Sequence, residues 1–287
     1  ARSELGKVAS MAPADHPSRR LLARAMAESG QFDEAMRVLR ELLEEDPGNG
    51  QAWYEQAKYA LQAGDAKLAV DELLVRAQVL ANRLQNQRLR ADVSNAFGIG
   101  YRRLGQMDAA AAELERAVAM RNALNDPRAE AASLRNLATV RSIRGEFAQA
   151  QVALDRARGL VEPLGDAIAL ADLANDSGVL AEEQGNYSDA LASYRDALSL
   201  RQAQGDKRSI AESLLNVGFA YYQLGEFDNA QTDWAQARSH YLELDDKVGL
   251  VHSQESLGLA GTARGEWGTA REELQSGLLT AESQQMD

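Results

Sequence analysis

An all-α solenoid of stacked antiparallel helix pairs is the fold class this sequence predicts, and three observations predict it. A seven-residue phrase recurs: "LGQMDAA" at Leu104–Ala110, "RGEFAQA" at Arg144–Ala150, "QGNYSDA" at Gln184–Ala190, "LGEFDNA" at Leu224–Ala230 and "RGEWGTA" at Arg264–Ala270. Its glycines, Gly105, Gly145, Gly185, Gly225 and Gly265, keep one constant 40-residue step, and a fixed period of that size marks stacked copies of one supersecondary unit. Three further series keep the step: Asn86, Asp126, Asp166, Asp206, Asp246; Gly98, Ala138, Gly178, Gly218, Gly258; and Ala110, Ala150, Ala190, Ala230, Ala270. The composition agrees, with five prolines in 287 residues and abundant alanine, the best helix former.

Residues 206–244 illustrate one unit. Asp206 is placed to cap a helix, its carboxylate accepting from first-turn amides. Ile210, Leu214, Val217, Tyr221 and Leu224 follow at helical spacing. Gly225 ends the helix in the left-handed conformation. Asp228 is expected to cap a second helix, with Ala230, Trp234 and Ala237 on its inner face. Small residues at 218 and 230 allow the two helices to approach. Such a pair cannot bury its apolar stripe alone, so copies must stack.

The segment "LLNVGFAYYQLGEFDNAQTDWAQA" resembles the tetratricopeptide repeat family. Leu214, Val217, Gly218 and Tyr221 stand where the family's first helix has its large apolar, Leu, Gly and Tyr positions. Gly225, Phe227 and Ala230 match the turn, and Trp234 and Ala237 the second helix. The resemblance implies a right-handed superhelix, and its 40-residue form is similar to the long repeats of peptide- and protein-binding scaffolds.

In chain order, Pro13 precedes Pro47 by one 34-residue step, so residues 1–13 are expected to be the tail of a preceding repeat, with Leu5 on its second helix and Ala1 near its small-residue position. Residues 14–85 hold two repeats of the family's usual 34-residue form. Gly30 and Gly64 are 34 apart, "SGQFDEA" carries Phe32 and Ala35, Pro47 closes a repeat and Trp53 takes the large position. The step from Gly64 to Gly105 is 41, placing the change of form near 77–86. Residues 86–287 then hold five 40-residue repeats, continuing one solenoid. The cap series next falls at position 286, beside Asp287, and the apolar Leu274, Leu278 and Leu279 would want a covering helix. The chain is therefore expected to be a fragment of a larger bacterial regulatory protein.

In such solenoids the first helices line a concave groove. Once the core positions are assigned, the groove stripe includes Asp92, Ala96, Ile99 and Arg103, and its counterparts in each later repeat up to His252, Ser256, Leu259 and Ala263. Asn136 and Asn216 occupy the place where long repeats carry groove asparagines, whose amides can hold a peptide backbone through both donor and acceptor. Asn95 and Asn175 stand one position earlier, and Asp176 interrupts the ladder. The alternative for each is an asparagine bonded to water or to the next helix. Arg102, Arg103, Arg135, Arg141 and Arg144 form a basic end; Asp172, Asp176, Glu182, Glu183 and Glu212 form an acidic one. That polarity would orient a ligand, unless the charges pair between repeats. Phe219 and Tyr222 are the candidate aromatic anchors. The partner-binding set is thus Asn95, Arg102, Arg103, Arg135, Asn136, Asn175, Asn216, Phe219 and Tyr222.

Catalytic chemistry is not expected. There is no cysteine. His16, His240 and His252 have no triad or metal spacing. "GIGYRR" lacks the third glycine of a dinucleotide loop and falls within a helix. No carboxylate stands in an evidently apolar setting, and "NDS" and "NYS" at Asn175 and Asn186 are weak glycosylation matches. No cofactor or metal is implied. The net charge of −12 argues against nucleic acid. No run approaches a membrane span and no signal peptide opens the chain, so a soluble chain of the cytoplasm or periplasm is expected. The leading expectation is a non-catalytic module binding a protein or peptide in its concave groove. The alternatives are a self-assembly segment and a small-ligand sensor domain of a kinase, cyclase or transcription regulator.

Overall fold

The structure, a computed structural model, describes residues 17–285. The expected repeat tail ending at Pro13, with Leu5 and Ala1, and the positions of His16 and Asp287 lie outside the described residues. Among the described residues there are fourteen helices and no strand: α1 (Pro17–Ala27), α2 (Phe32–Glu45), α3 (Gly50–Gln62), α4, α5 (Gln87–Arg103), α6 (Met107–Ala123), α7 (Pro127–Ile143), α8 (Phe147–Val161), α9 (Ala167–Glu183), α10 (Tyr187–Gln204), α11 (Lys207–Gln223), α12 (Phe227–Glu243), α13 (Lys247–Ala263) and α14 (Trp267–Gln285). Helix α4 joins Ala66–Leu68, a π-helical turn at Ala69–Leu73, and Leu74–Arg83. A π turn houses one extra residue, which accounts for the single 41-residue step between Gly64 and Gly105.

The chain divides into two compact units, up to Glu146 and from Phe147 onwards. Each is an all-α solenoid segment in which consecutive helices pack in sequence. In the first, α5 packs on α6 and α6 on α7; in the second, α9 to α14 pack each on the next.

Local chemistry sets the helix boundaries. The side chains of Asn86, Asp126, Asp166, Asp206 and Asp246 each accept from the backbone N–H three residues on, at 3.1–3.2 Å. Asn49 and Asp65 do the same at 3.1 and 2.9 Å. The second helices of the 40-residue repeats start differently. Helix α12 begins at Phe227 after Glu226, with no side-chain cap. Asp228 lies inside its first turn, two residues past the cap position, and pairs with Arg264 instead.

The first unit's core runs through Leu22, Leu39, Leu42, Tyr59, Leu74, Val93 and Phe97, with a second cluster at Leu114, Leu137 and Val140. The second unit buries Tyr194, Val217, Tyr221, Trp234 and Leu257, then Ile210, Leu214, Tyr241 and Leu250. Leu224, expected on the buried stripe, is 38% exposed at the helix end. Gly218 is needed for close approach: a methyl group there would collide with the indole of Trp234, which is itself tied by Nε1 to the Leu215 carbonyl at 3.0 Å. On α14, Leu274, Leu278 and Leu279 are exposed. No described helix is long and apolar enough to cross a membrane.

Candidate binding groove

The first helix of each 40-residue pair offers a polar stripe, and the asparagines predicted for the groove meet in pairs on it. In the second unit Asn216 on α11 donates from Nδ2 to Oδ1 of Asn175 on α9 at 2.8 Å. In the first unit Asn136 on α7 donates to Oδ1 of Asn95 on α5 at 3.2 Å. The one-position offset between the asparagines of successive repeats, which breaks a regular ladder, is what lets each pair touch.

Beneath each pair lies an arginine from a second helix. Arg121 of α6 donates to Asp92 at 2.9 Å, to Ser133 Oγ at 2.6 Å and to the Ala129 carbonyl at 2.8 Å. Ser133 donates in turn to Asn95 Oδ1 at 2.9 Å. Two repeats later Arg201 of α10 donates to Asp172 at 3.3 Å, Ser213 Oγ at 2.8 Å and the Ser209 carbonyl at 3.2 Å. Arg121 is buried and Arg201 half-buried. Their bonds are charge-assisted, the stronger kind. These arginines are absent from the sequence-derived set. The available signal was an Arg with a Ser three helical turns and more downstream, Arg121 to Ser133, and an Asp upstream at 92, the trio recurring as Arg201, Ser213 and Asp172.

The arrangement changes the standing of several candidates. Asn95 accepts two bonds at Oδ1, and its pair is bound into the fold. Asn175 Nδ2 and Asn216 Oδ1 carry no other hydrogen bond among the described residues. One donor and one acceptor therefore remain beside each other, the complement of a peptide group. Arg103 donates to the carbonyl of Leu61 at the end of α3, so it fastens two repeats together. Arg135 is partly buried next to Asn136.

Tyr222 is turned away from the groove. Its ring lies 5.4 Å from that of Phe227 and 5.8 Å from that of Trp234, both on the second helix of its own repeat. Glu182, one repeat earlier, is likewise turned to its second helix and accepts from Tyr194 Oη at 2.7 Å. Arg102 occupies the same register position. It is partly buried, and desolvation together with the neighbouring Arg103 lowers its pKa. Tyr222 and Glu182 thus meet the second helix of their own repeats, at the register position that Arg102 shares. Phe219 sits at the register position of Val179 and Leu259, which are exposed, while part of its ring leans on the core. Much of the predicted basic end is paired: Arg141 with Glu115 at 3.0 Å, and Arg144 with Asp108 at 3.3 Å and Glu146 at 2.8 Å. On the acidic side, Asp172 is held by Arg201.

Within the second unit a cavity of about 330 Å³ opens beside the Asn175–Asn216 pair. Arg201, Arg208, Glu212, Tyr241, Asp246 and His252 contribute to its wall. Glu212 keeps access to solvent, yet the surrounding helices remove enough hydration to raise its pKa, against the pull of Arg201 and Arg208. The sequence expectation of no carboxylate in an apolar setting did not anticipate this shift, which arises in a largely polar wall. Burial pushes the Tyr241 hydroxyl up to about 12.

Comparison with solved structures places this architecture. BtubC (BKLC) from P. vanneervenii superposes with a TM-score of 0.60 at 21% identity, covering 76% of this chain and 91% of that one. A Signal Transduction ATPase with Numerous Domains from Pyrococcus horikoshii, which has a tetratricopeptide repeat sensor, gives 0.68 at 18%, covering 84% of this chain and 37% of its own. A Rap protein complexed with Competence and Sporulation Factor gives 0.68 at 11%, covering 98% and 96%. The likeness is one of fold. Comparison with curated proteins by sequence gives no match. Family profiles described as tetratricopeptide repeat match residues 1–59 and 27–86, 129–203 and 175–239. By profile and by fold, the chain belongs to the tetratricopeptide repeat family.

Proposed function

We propose that this chain is a non-catalytic module that binds an extended peptide or peptide-like segment of a protein along the first helices of its repeats, as part of a regulatory or scaffold assembly. The observation that carries this reading is the Asn175–Asn216 pair beside the 330 Å³ cavity. Its unused amide donor and acceptor are fixed by their mutual bond, so little ordering cost remains when a peptide group docks. The fold suits the role, since paired helices present a long row of side chains on one face. The Rap protein bound to Competence and Sporulation Factor and the ATPase with a repeat sensor share the fold and make a signalling context reasonable. The division into two 34-residue repeats over 14–85 and five 40-residue repeats over 86–287 belongs to the same proposal.

The test is peptide capture on the purified chain. Wild type should retain peptides from a random library, and Asn175→Ala with Asn216→Ala should lose them while the helical melting curve persists. Equal capture by the double variant would remove these asparagines from the account.

A further inference from the structure

The cavity beside Asn175 and Asn216 has an unbalanced charge. Arg201 is committed to Asp172, Ser213 and the Ser209 carbonyl. Arg208 is committed to Asp246. The carboxylate of Glu212 forms no hydrogen bond and no ion pair with any described residue, and it feels the two guanidinium groups only through space. His252 at the rim is exposed and stands 3.8 Å from Glu255. With both cations matched, the uncompensated group in the wall is an anion. A cationic ligand would complete Glu212 without displacing an existing pair.

The remaining wall suits an aliphatic stem. Leu215 and Val248 line the cavity, and Val248 is 55% exposed. The ring of Tyr241 rests against Gly249, where a methyl group would collide with it. Long basic side chains lay their methylenes on such apolar surface while the head group finds a carboxylate. The geometry is that of a pocket with an apolar wall, an acid, and a peptide-group donor and acceptor at its side.

Resting on the peptide reading above, we infer that this cavity is a specificity pocket for one basic side chain, arginine or lysine, of the bound peptide, with its guanidinium or ammonium group against Glu212. The raised pKa of Glu212 fits this role, because partial loss of hydration is what an adjacent cation would offset.

The experiment is a positional-scanning library of N-acetylated, C-amidated nonapeptides on immobilised protein, with argininamide titrated separately. Wild type should select Arg or Lys over Gln at one position by about tenfold, as one charge-assisted bond implies. Glu212→Gln should bind peptides without that selection, and Glu212→Lys should prefer Asp or Glu there. The melting curve of Glu212→Gln should match wild type at the pH of the assay or exceed it, since Glu212 is outside the core, and Glu212→Lys should keep a cooperative melt although its ammonium faces Arg201 and Arg208. Peptide binding without basic selection in wild type would overturn the inference and leave the groove reading standing. Absence of peptide binding in wild type would overturn both. Argininamide binding as tightly as the peptides would assign the pocket to a free small cation and overturn the peptide side-chain assignment.

Discussion

Arg201 donates to the hydroxyl of Ser213 at 2.8 Å, and Arg121 makes the same bond to Ser133 at 2.6 Å. The second helices that follow each of these carry Val161 and Tyr241 at the arginine position, both buried. Polar and apolar joints therefore alternate along the array. Arg201→Met should lower stability by about 1–3 kcal/mol, because it leaves Asp172 and Ser213 short of a donor. Adding Asp172→Leu should recover part of that loss. Thermal melts of the two single variants and the double variant would read the coupling, and strict additivity would show that the contact is idle.

Trp234 is 2% exposed and fills the space above Gly218. Trp234→Ala should cost about 3–5 kcal/mol through the cavity it leaves. Gly218→Leu should cost roughly 1–3 kcal/mol or more through overpacking. Unchanged melting in both variants would contradict the packing described.

Left-handed residues at the junctions between repeats offer a stabilising prediction. Gly165 and Gly205 adopt φ of 59° and 78°, and the same register positions carry Gln85, Asn125 and Asp245 at φ of 50°, 52° and 49°. A side chain in that conformation costs roughly 1–2 kcal/mol. Gln85→Gly and Asp245→Gly should each raise the melting temperature, and a fall in both would show that those side chains make compensating contacts.

The Glu212 carboxyl has a folded-state pKa above its ordinary value. The folded chain therefore binds more protons than the unfolded chain between the two pKa values, and stability falls as pH rises through that window. Glu212→Gln should be more stable than wild type at neutral pH, with the difference vanishing in acid below the ordinary carboxylate range. Melting temperature against pH for the two proteins is the measurement, and parallel curves would count against the assignment.

Phe219 and Tyr222 should separate cleanly. Phe219→Ala should speed dissociation of a bound peptide, because that ring stands on the exposed stripe. Tyr222→Ala should chiefly lower stability by removing the packing on Phe227 and Trp234. Surface plasmon resonance and melting curves run on both variants would expose a reversal of the roles.

The parts of this fold that could be read from the sequence are those decided within a few residues. A cap such as Asp206 and its acceptor geometry span three positions, and Gly225 sets its own conformation, so both are written locally. The groove was only half legible. Residues three apart on a helix, such as Phe219 and Tyr222, point about 60° apart, and only the position of the second helix decides which of them is covered. The Arg201 network joins α9, α10 and α11, three elements whose meeting no local pattern announces. The same holds for Glu212, whose hydration is set by neighbouring helices. Gln85 and Asp245 in left-handed turns were hidden by their residue type, although Gly165 and Gly205 at the same step pointed to them.

Alternation of arginine with Val161 and Tyr241 also restricts how this array can change its length. Excising a single 40-residue module, for example 127–166, would bring Leu173 to the place of Ser133 and Asp176 to that of Asn136. The guanidinium of Arg121 would then abut a hydrocarbon. Excising two consecutive modules restores every donor to an acceptor of the original kind. The heritable building block of this stretch is thus a tandem of two modules, and insertions or losses that respect its parity are the ones its interior can absorb.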